Sequence, residues 1–212
     1  MSPSESPRLA LLDRDGTLVD VVRDEETGAI TTAFHPNQLR ILDGVLEGLA
    51  ALVDAGYLLA IVTNQPGPAK GHFSRAAVER TNAALVAELA KHAIPIAKVA
   101  ACMHHPEGGP GGDRALVGPC ECRKPKAGLL VECMQALGVG PERTWMIGDS
   151  MADVVAARNA GVRSALLFAD NRCELCPLRG GPSVVPDCHA AKLPALARAI
   201  LALDQHDLPR QF

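Results

Sequence analysis

Aromatic residues are nearly missing from this sequence: one Trp, one Tyr and four Phe in 212 residues. A core must therefore be assembled from Leu, Val, Ile and Ala, and no run of ring side chains is present on which single-stranded bases would stack. Basic blocks are missing too. Acids and bases are mixed along a chain of net charge −3, so nothing electrostatic points to nucleic acid as a partner. No apolar run approaches the roughly 18–20 residues needed to cross a bilayer, and the polar opening MSPSESPR does not read as a secretory signal. These absences lead to the expectation of a cytoplasmic, monomeric protein with no membrane partner and a small-molecule ligand. Without a P-loop pattern, an internal repeat or a domain-separating linker, residues 1–212 read as a single domain. The seven cysteines are an odd number without an export signal. That argues against a disulfide framework and for metal ligation where they cluster.

What is present is an alternation. Five short, nearly continuous apolar runs occur at 8–13, 57–63, 98–103, 144–148 and 163–168. Runs of that length suit strands buried on both faces, the parallel-sheet case. Between them lie helical stripes: Val45, Leu49, Leu52 and Val53 stopped by Gly56; Val78, Thr81, Leu85 and Leu89 behind a Ser74 cap; Leu130, Cys133 and Leu137 stopped by Gly138; and 151–160 stopped by Gly161. A last helix near 193–203 is expected on the outside. The order predicts an α/β, three-layer Rossmann-like sandwich with a parallel sheet. Residues 20–43 break the alternation and suggest a small hairpin flap rather than a large cap domain. Residues 104–125 and 170–190 are Gly/Pro-rich loops holding Cys and His.

Ligands of open parallel sheets bind beyond the carboxyl ends of the strands, and polar residues gather there. One run leads into Asp13-Arg14-Asp15-Gly16-Thr17, another into Thr63-Asn64-Gln65, a third into Gly148-Asp149-Ser150 with Asp153 beyond. Carboxylates clustered at one edge repel each other unless a cation compensates, which suits a hard divalent ion such as Mg²⁺. Asp-Gly and Asn are also ordinary turn residues, but three such ends in succession are hard to attribute to turns alone.

In order, DRDGT, TNQ, RKP and GDSMAD resemble the four motifs of the haloacid dehalogenase-like hydrolases, over about residues 8–170. The resemblance implies that Asp13 is the nucleophile and Asp15 the acid and base. It makes Lys124 the neutralising cation, with Thr63 and Asn64 on phosphate oxygens. It assigns Mg²⁺ to Asp13, Asp149 and the backbone carbonyl of Asp15, and gives Asp153 the orienting of Lys124 or of a metal-bound water. Arg14, Asn64, Gln65, Arg123 and Ser150 become candidate substrate contacts.

Cys102-x-His104 is followed by Cys120-x-Cys122. Two close pairs of soft ligands in a loop with few core residues suit a closed tetrahedral Zn²⁺ site that orders the loop about 102–125. His105 is an alternative to His104; the family pattern favours His104. CxHHP…CxCRKP together with TNQPGPAKG resembles the D-glycero-D-manno-heptose-1,7-bisphosphate 7-phosphatases, and less closely the histidinol-phosphate phosphatase domains. Pro66, Ser150 and the segment 20–36 depart from the heptose pattern. A catalytically inactive zinc-stabilised binding module is the reading from another class. Cys173, Cys176, Cys188 and His189 are candidates for a second metal, weighed against reduced thiols in a loop. Cys133 reads as core, and His35, His72, His92 and His206 mainly as loop or surface residues.

Overall fold

A computed structural model describes residues 7–23, 28, 30–168 and 184–206. Eight strands occur among them: β1 (Arg8–Leu12), β2 (Val22–Arg23), β3 (Ile30–Thr31), β4 (Tyr57–Asn64), β5 (Lys98–Cys102), β6 (Thr144–Gly148), β7 (Arg163–Leu167) and β8 (Cys188–Ala190). The α-helices are α1 (Val45–Asp54), α2 (Gly67–Lys70), α3 (Arg75–Lys91), α4 (Gly128–Leu137), α5 (Met151–Ala160) and α6 (Leu193–His206). Six strands form one parallel sheet in the order β5-β4-β1-β6-β7-β8. The order reverses on either side of β1, so the loops after β1, β4 and β6 open at a common crevice.

Strand alternation sorts the core. Ala10 and Leu12 of β1 face a cluster that includes Leu49 and Leu52 of α1, Leu85 and Leu89 of α3, and Leu196 and Ile200 of α6. Leu9 and Leu11 face the other way, toward Leu130 and Cys133 of α4 and Ala156 and Ala157 of α5. The result is the expected three-layer α/β arrangement. Ser74 caps α3 by accepting from the Ala77 N–H at 3.2 Å.

Two details differ from the sequence reading. Cys188–Ala190 is a sixth strand of the sheet; three residues without an apolar run carry too little periodic signal to be seen. Alternation there packs Cys188 partly against the core and leaves His189 exposed, so the pair does not converge on one ion. Cys173 and Cys176 lie outside the described residues. The last helix, in turn, is no outer attachment: it buries Leu193, Leu196, Ala197 and Ile200 beside α1.

The flap expected within 20–43 contains the antiparallel pair β2–β3, with Val22 opposite Thr31 and Arg23 opposite Ile30. No described helix is long and apolar enough to cross a membrane.

At the amino ends of the strands, the buried Asp204 of α6 ties the sheet together. It accepts from Trp145 Nε1 at 3.0 Å, Arg163 Nη2 at 2.5 Å, Arg8 Nη1 at 3.5 Å and the Tyr57 hydroxyl. Arg8 lies over the Tyr57 ring and Arg163 over the Trp145 ring, at 4.7 and 4.4 Å. The scarce Tyr and Trp are thus placed where a buried carboxylate needs donors. Replacing it by an amide leaves two cations without their charge partner. Asp204→Asn is therefore expected to lower stability by about 3 kcal/mol, read as a lower urea midpoint at an unchanged slope.

Candidate active site

The carboxyl ends of β1, β4 and β6, the start of α5 and the loop after β5 bring Asp13, Asp15, Thr63, Asn64, Lys124, Asp149, Ser150 and Asp153 around one pocket, which Thr32 of the flap also lines. Lys124 is its centre. Its side chain is 3% exposed, and its ammonium lies 2.8 Å from Asp13 Oδ1 and 2.6 Å from Asp153 Oδ1. It also donates to the Val62 carbonyl at 2.8 Å. The ammonium thus has two charge partners and one carbonyl acceptor. Burial lowers the Lys124 pKa, but the two carboxylates more than reverse this, so the amine stays charged.

Carboxylate oxygens of Asp13, Asp149 and Asp153 lie within 4.8 Å of one another. With one ammonium among three carboxylates, the cluster falls two positive charges short of balance, as a divalent-cation site requires. Burial, together with Asp153 and Asp149, pushes Asp13 up to about 7 even though Lys124 pulls it down. The donor set therefore fits Mg²⁺, a hard ion bound through a few carboxylate oxygens.

Backbone geometry permits the crowding. Gly16 has φ +84°, and a Cβ there would stand 2.2 Å from Asp149 Oδ2. Only a residue without a side chain lets the first loop pass under that carboxylate.

Asp15 turns away from this cluster. Its carboxylate accepts a fork from Arg14, Nε to Oδ2 at 3.1 Å and Nη2 to Oδ1 at 3.0 Å, and a bond from Gln65 Nε2 at 2.6 Å. The Ala33 N–H approaches Oδ1 at 3.4 Å. Arg14 is fully buried. Its other partners are the Ala33 carbonyl, Thr32 Oγ1 and Asn82 Oδ1, at 2.7, 3.3 and 2.6 Å. Arg14, expected at the substrate, is buried off the pocket lining, where it holds Asp15 and the flap. Gln65 is likewise fully buried, bonded to Asp15, to Thr63 Oγ1 at 2.8 Å and to Thr32 Oγ1 at 2.8 Å, and it does not line the pocket.

Two further expected substrate contacts, Asn64 and Ser150, line the pocket and also hold neighbouring residues. Asn64 exchanges two 3.0 Å bonds with the Lys124 backbone, Nδ2 to the carbonyl and the N–H to Oδ1. Its amide fixes the lysine loop at the edge of the pocket that Asn64 lines. Ser150 donates from Oγ to Asp153 Oδ2 at 2.6 Å within a capping box that starts α5. Arg123 does not line the pocket; its guanidinium approaches the His104 carbonyl at 3.5 Å. Thr32, Ala33 and Asn82 were missed. The available signal for Asn82 was an amide within the apolar stripe of its helix.

The second cluster stands behind the lysine loop. Ligand atoms of Cys102, His104, Cys120 and Cys122 lie within 4.8 Å of one another. Cys102 Sγ is 3.8 Å from Cys120 Sγ and 3.0 Å from Cys122 Sγ, and His104 Nδ1 is 3.7 and 3.3 Å from Cys102 and Cys122. Donors about 2.0–2.3 Å from a tetrahedral zinc stand roughly 3.3–3.8 Å apart. His105 instead accepts from the Gly108 and Glu107 N–H groups at 3.0 and 3.3 Å. His35 caps a turn by accepting from the Asn37 N–H, and His72 and His92 are exposed.

A Rossmann-like sheet with two aspartates after its first strand, a buried lysine and further carboxylates at the same edge defines a phosphoryl-transfer hydrolase. The HAD-hydrolase-like family model matches residues 121–172. A D-glycero-beta-D-manno-heptose-1,7-bisphosphate 7-phosphatase of Pasteurella multocida is 33% identical over 156 residues, 74% of this chain and 78% of that protein. The enzyme of the same name from Escherichia coli K12 is 29% identical over 203 residues, 94% and 95% of the two chains. A crystal structure of the D,D-heptose 1,7-bisphosphate phosphatase of B. bronchiseptica, complexed with magnesium and phosphate, has a TM-score of 0.72 at 26% identity. That match covers 92% of this chain and 99% of the other. The chain belongs to the haloacid dehalogenase-like hydrolases, in the group that includes these heptose-bisphosphate phosphatases.

Gly16→Ala tests the crowding at Asp149. It is expected to cost about 1–2 kcal/mol from the left-handed backbone. It should also raise the Mg²⁺ concentration for half-maximal phosphate release by about tenfold or more.

Proposed function

We propose that this chain is a Mg²⁺-dependent phosphomonoester hydrolase that removes the 7-phosphate of D-glycero-D-manno-heptose 1,7-bisphosphate through an aspartyl-phosphate on Asp13. The observation that carries the reading is the buried Lys124 ammonium held between Asp13 and Asp153 with Asp149 alongside. The carboxylates of Asp13 and Asp149 and the backbone carbonyl of Asp15 would hold Mg²⁺, and its bound charge would offset that of the transferring phosphoryl group.

An Asp13 carboxylate oxygen attacks phosphorus as the bond to the sugar oxygen breaks. Asp15 gives its proton to that leaving oxygen, then as a carboxylate takes a proton from water. The water oxygen attacks phosphorus, the bond to Asp13 breaks, and inorganic phosphate leaves. Thr63 lines the pocket with its hydroxyl hydrogen able to donate, since its oxygen accepts from Gln65. Lys124 neutralises charge on the phosphoryl oxygens. Positioning and charge are what phosphoryl transfer chiefly demands.

Arg123, next to Lys124 in the chain, would contact the part of the bisphosphate beyond the transferred phosphate. The named relatives favour the heptose substrate over histidinol phosphate, and the paired Lys124 with its three carboxylates disfavours an inactive binding module. Cys102, His104, Cys120 and Cys122 would bind one Zn²⁺. Because Cys122 immediately precedes Arg123 and Lys124, that ion would hold both cations in place.

Asp13→Asn should reduce phosphate release at saturating Mg²⁺ by at least about a thousandfold with the melting temperature retained. Wild-type protein assayed in parallel on heptose bisphosphate, fructose bisphosphate and histidinol phosphate should prefer the first; a preference for histidinol phosphate would reverse the substrate assignment. Elemental analysis should give about one zinc per chain, lost in Cys122→Ser together with most of the activity.

A further inference from the structure

We infer that Asn82, on α3, is a positioning residue for Asp15 and acts through Arg14; this rests on Asp15 being the acid and base of the proposed reaction. Asn82 lines no part of the catalytic pocket. It lies on the inward stripe of α3 among Val78, Thr81 and Leu85, and is 7% exposed. A buried amide on an apolar stripe needs a partner, and its partner is Arg14 Nη1 at 2.6 Å.

The guanidinium is planar and rigid. Fixing one nitrogen therefore fixes the direction of the other two. Those two form the fork on Asp15 at 3.1 and 3.0 Å, and the inner one also reaches the Ala33 carbonyl at 2.7 Å. Asn82 thus sets the plane of Arg14 from a helix that carries no pocket residue. Arg14 in turn sets the plane of the Asp15 carboxylate.

Gln65 completes the arrangement from the other side at 2.6 Å. An amide suits position 82 because it accepts one bond while adding no charge to compete with Asp15 for the guanidinium. Without that acceptor, Nη1 is left buried and unpaired. Arg14 can then satisfy it only by tilting, which carries Asp15 away from the leaving oxygen.

General acid–base assistance depends on that placement, whereas ground-state phosphate binding does not. Asn82→Ala should therefore lower kcat on the sugar phosphate about tenfold to a hundredfold, with KM and the Mg²⁺ requirement within about twofold of wild type. Asn82→Leu, which keeps the branched shape without leaving a cavity but removes the acceptor, should behave alike and guards against a cavity effect. The distinguishing measurement is a rapid-mixing assay with p-nitrophenyl phosphate, whose leaving oxygen needs little protonation. First-turnover release of nitrophenolate should stay within about threefold of wild type, while steady turnover slows because Asp15 must still activate water.

Wild-type kcat in either folded variant would overturn the inference. So would a first-turnover amplitude and a steady rate that fall in one ratio with the folded fraction, which indicates a structural role alone. Asp15→Asn separates the two levels. If it turned over, the acid–base reading itself would fail; if it were inactive while both Asn82 variants matched wild type, only the role of Asn82 would.

Discussion

A buried ammonium is costly unless its charge is matched, and the carboxyl edge of this sheet is organised around meeting that demand at Lys124. Two carboxylates match its charge and one strand carbonyl accepts from it. The same contacts fix the nucleophile candidate Asp13 and orient Asp153, whose other oxygen starts α5 through Ser150. With Asp149 added, the cluster falls two positive charges short, so a divalent ion and a phosphate are natural occupants of the same space.

Holding Lys124 there requires a rigid loop, and the loop has few core side chains of its own. It is fastened from three directions. Asn64 at the end of β4 clasps the Lys124 backbone in both directions. The Cys102, His104, Cys120 and Cys122 cluster closes its base. Glycines let it lie directly on the backbone of α2: a Cβ at Gly112 would stand 1.9 Å from the Ala69 carbonyl oxygen. The amino edge of the sheet is held separately by Asp204, so stability and chemistry are concentrated at opposite ends of the strands.

Around Asp15 the same logic works at longer range. A carboxylate that must give and take a proton has to point the right way, and a planar guanidinium fixed at all its nitrogens can dictate that direction. Arg14 also carries the flap through Thr32 and Ala33, so the small lid and the acid–base candidate share one support. The stacked rings of Phe34 and Phe73, 4.9 Å apart, join that flap to the segment after α2.

The linear sequence determined the layers, the order of strands and helices around the first five runs, and the convergence of Asp13, Lys124 and Asp149, because buried parallel strands and their polar ends are local patterns of few residues. The pairing of Cys102 and His104 with Cys120 and Cys122 was legible for the same reason. Only the tertiary structure decided which polar residues face the pocket. Arg14 and Gln65 sit in the motifs beside the reacting groups, yet they are buried off the pocket and bond to Asp15. Asn82 and Ala33 join the site from elements distant in the chain. A motif records which residue types stand near one another along the backbone; the direction of each side chain follows from hydrogen-bond partners that only packing brings within reach.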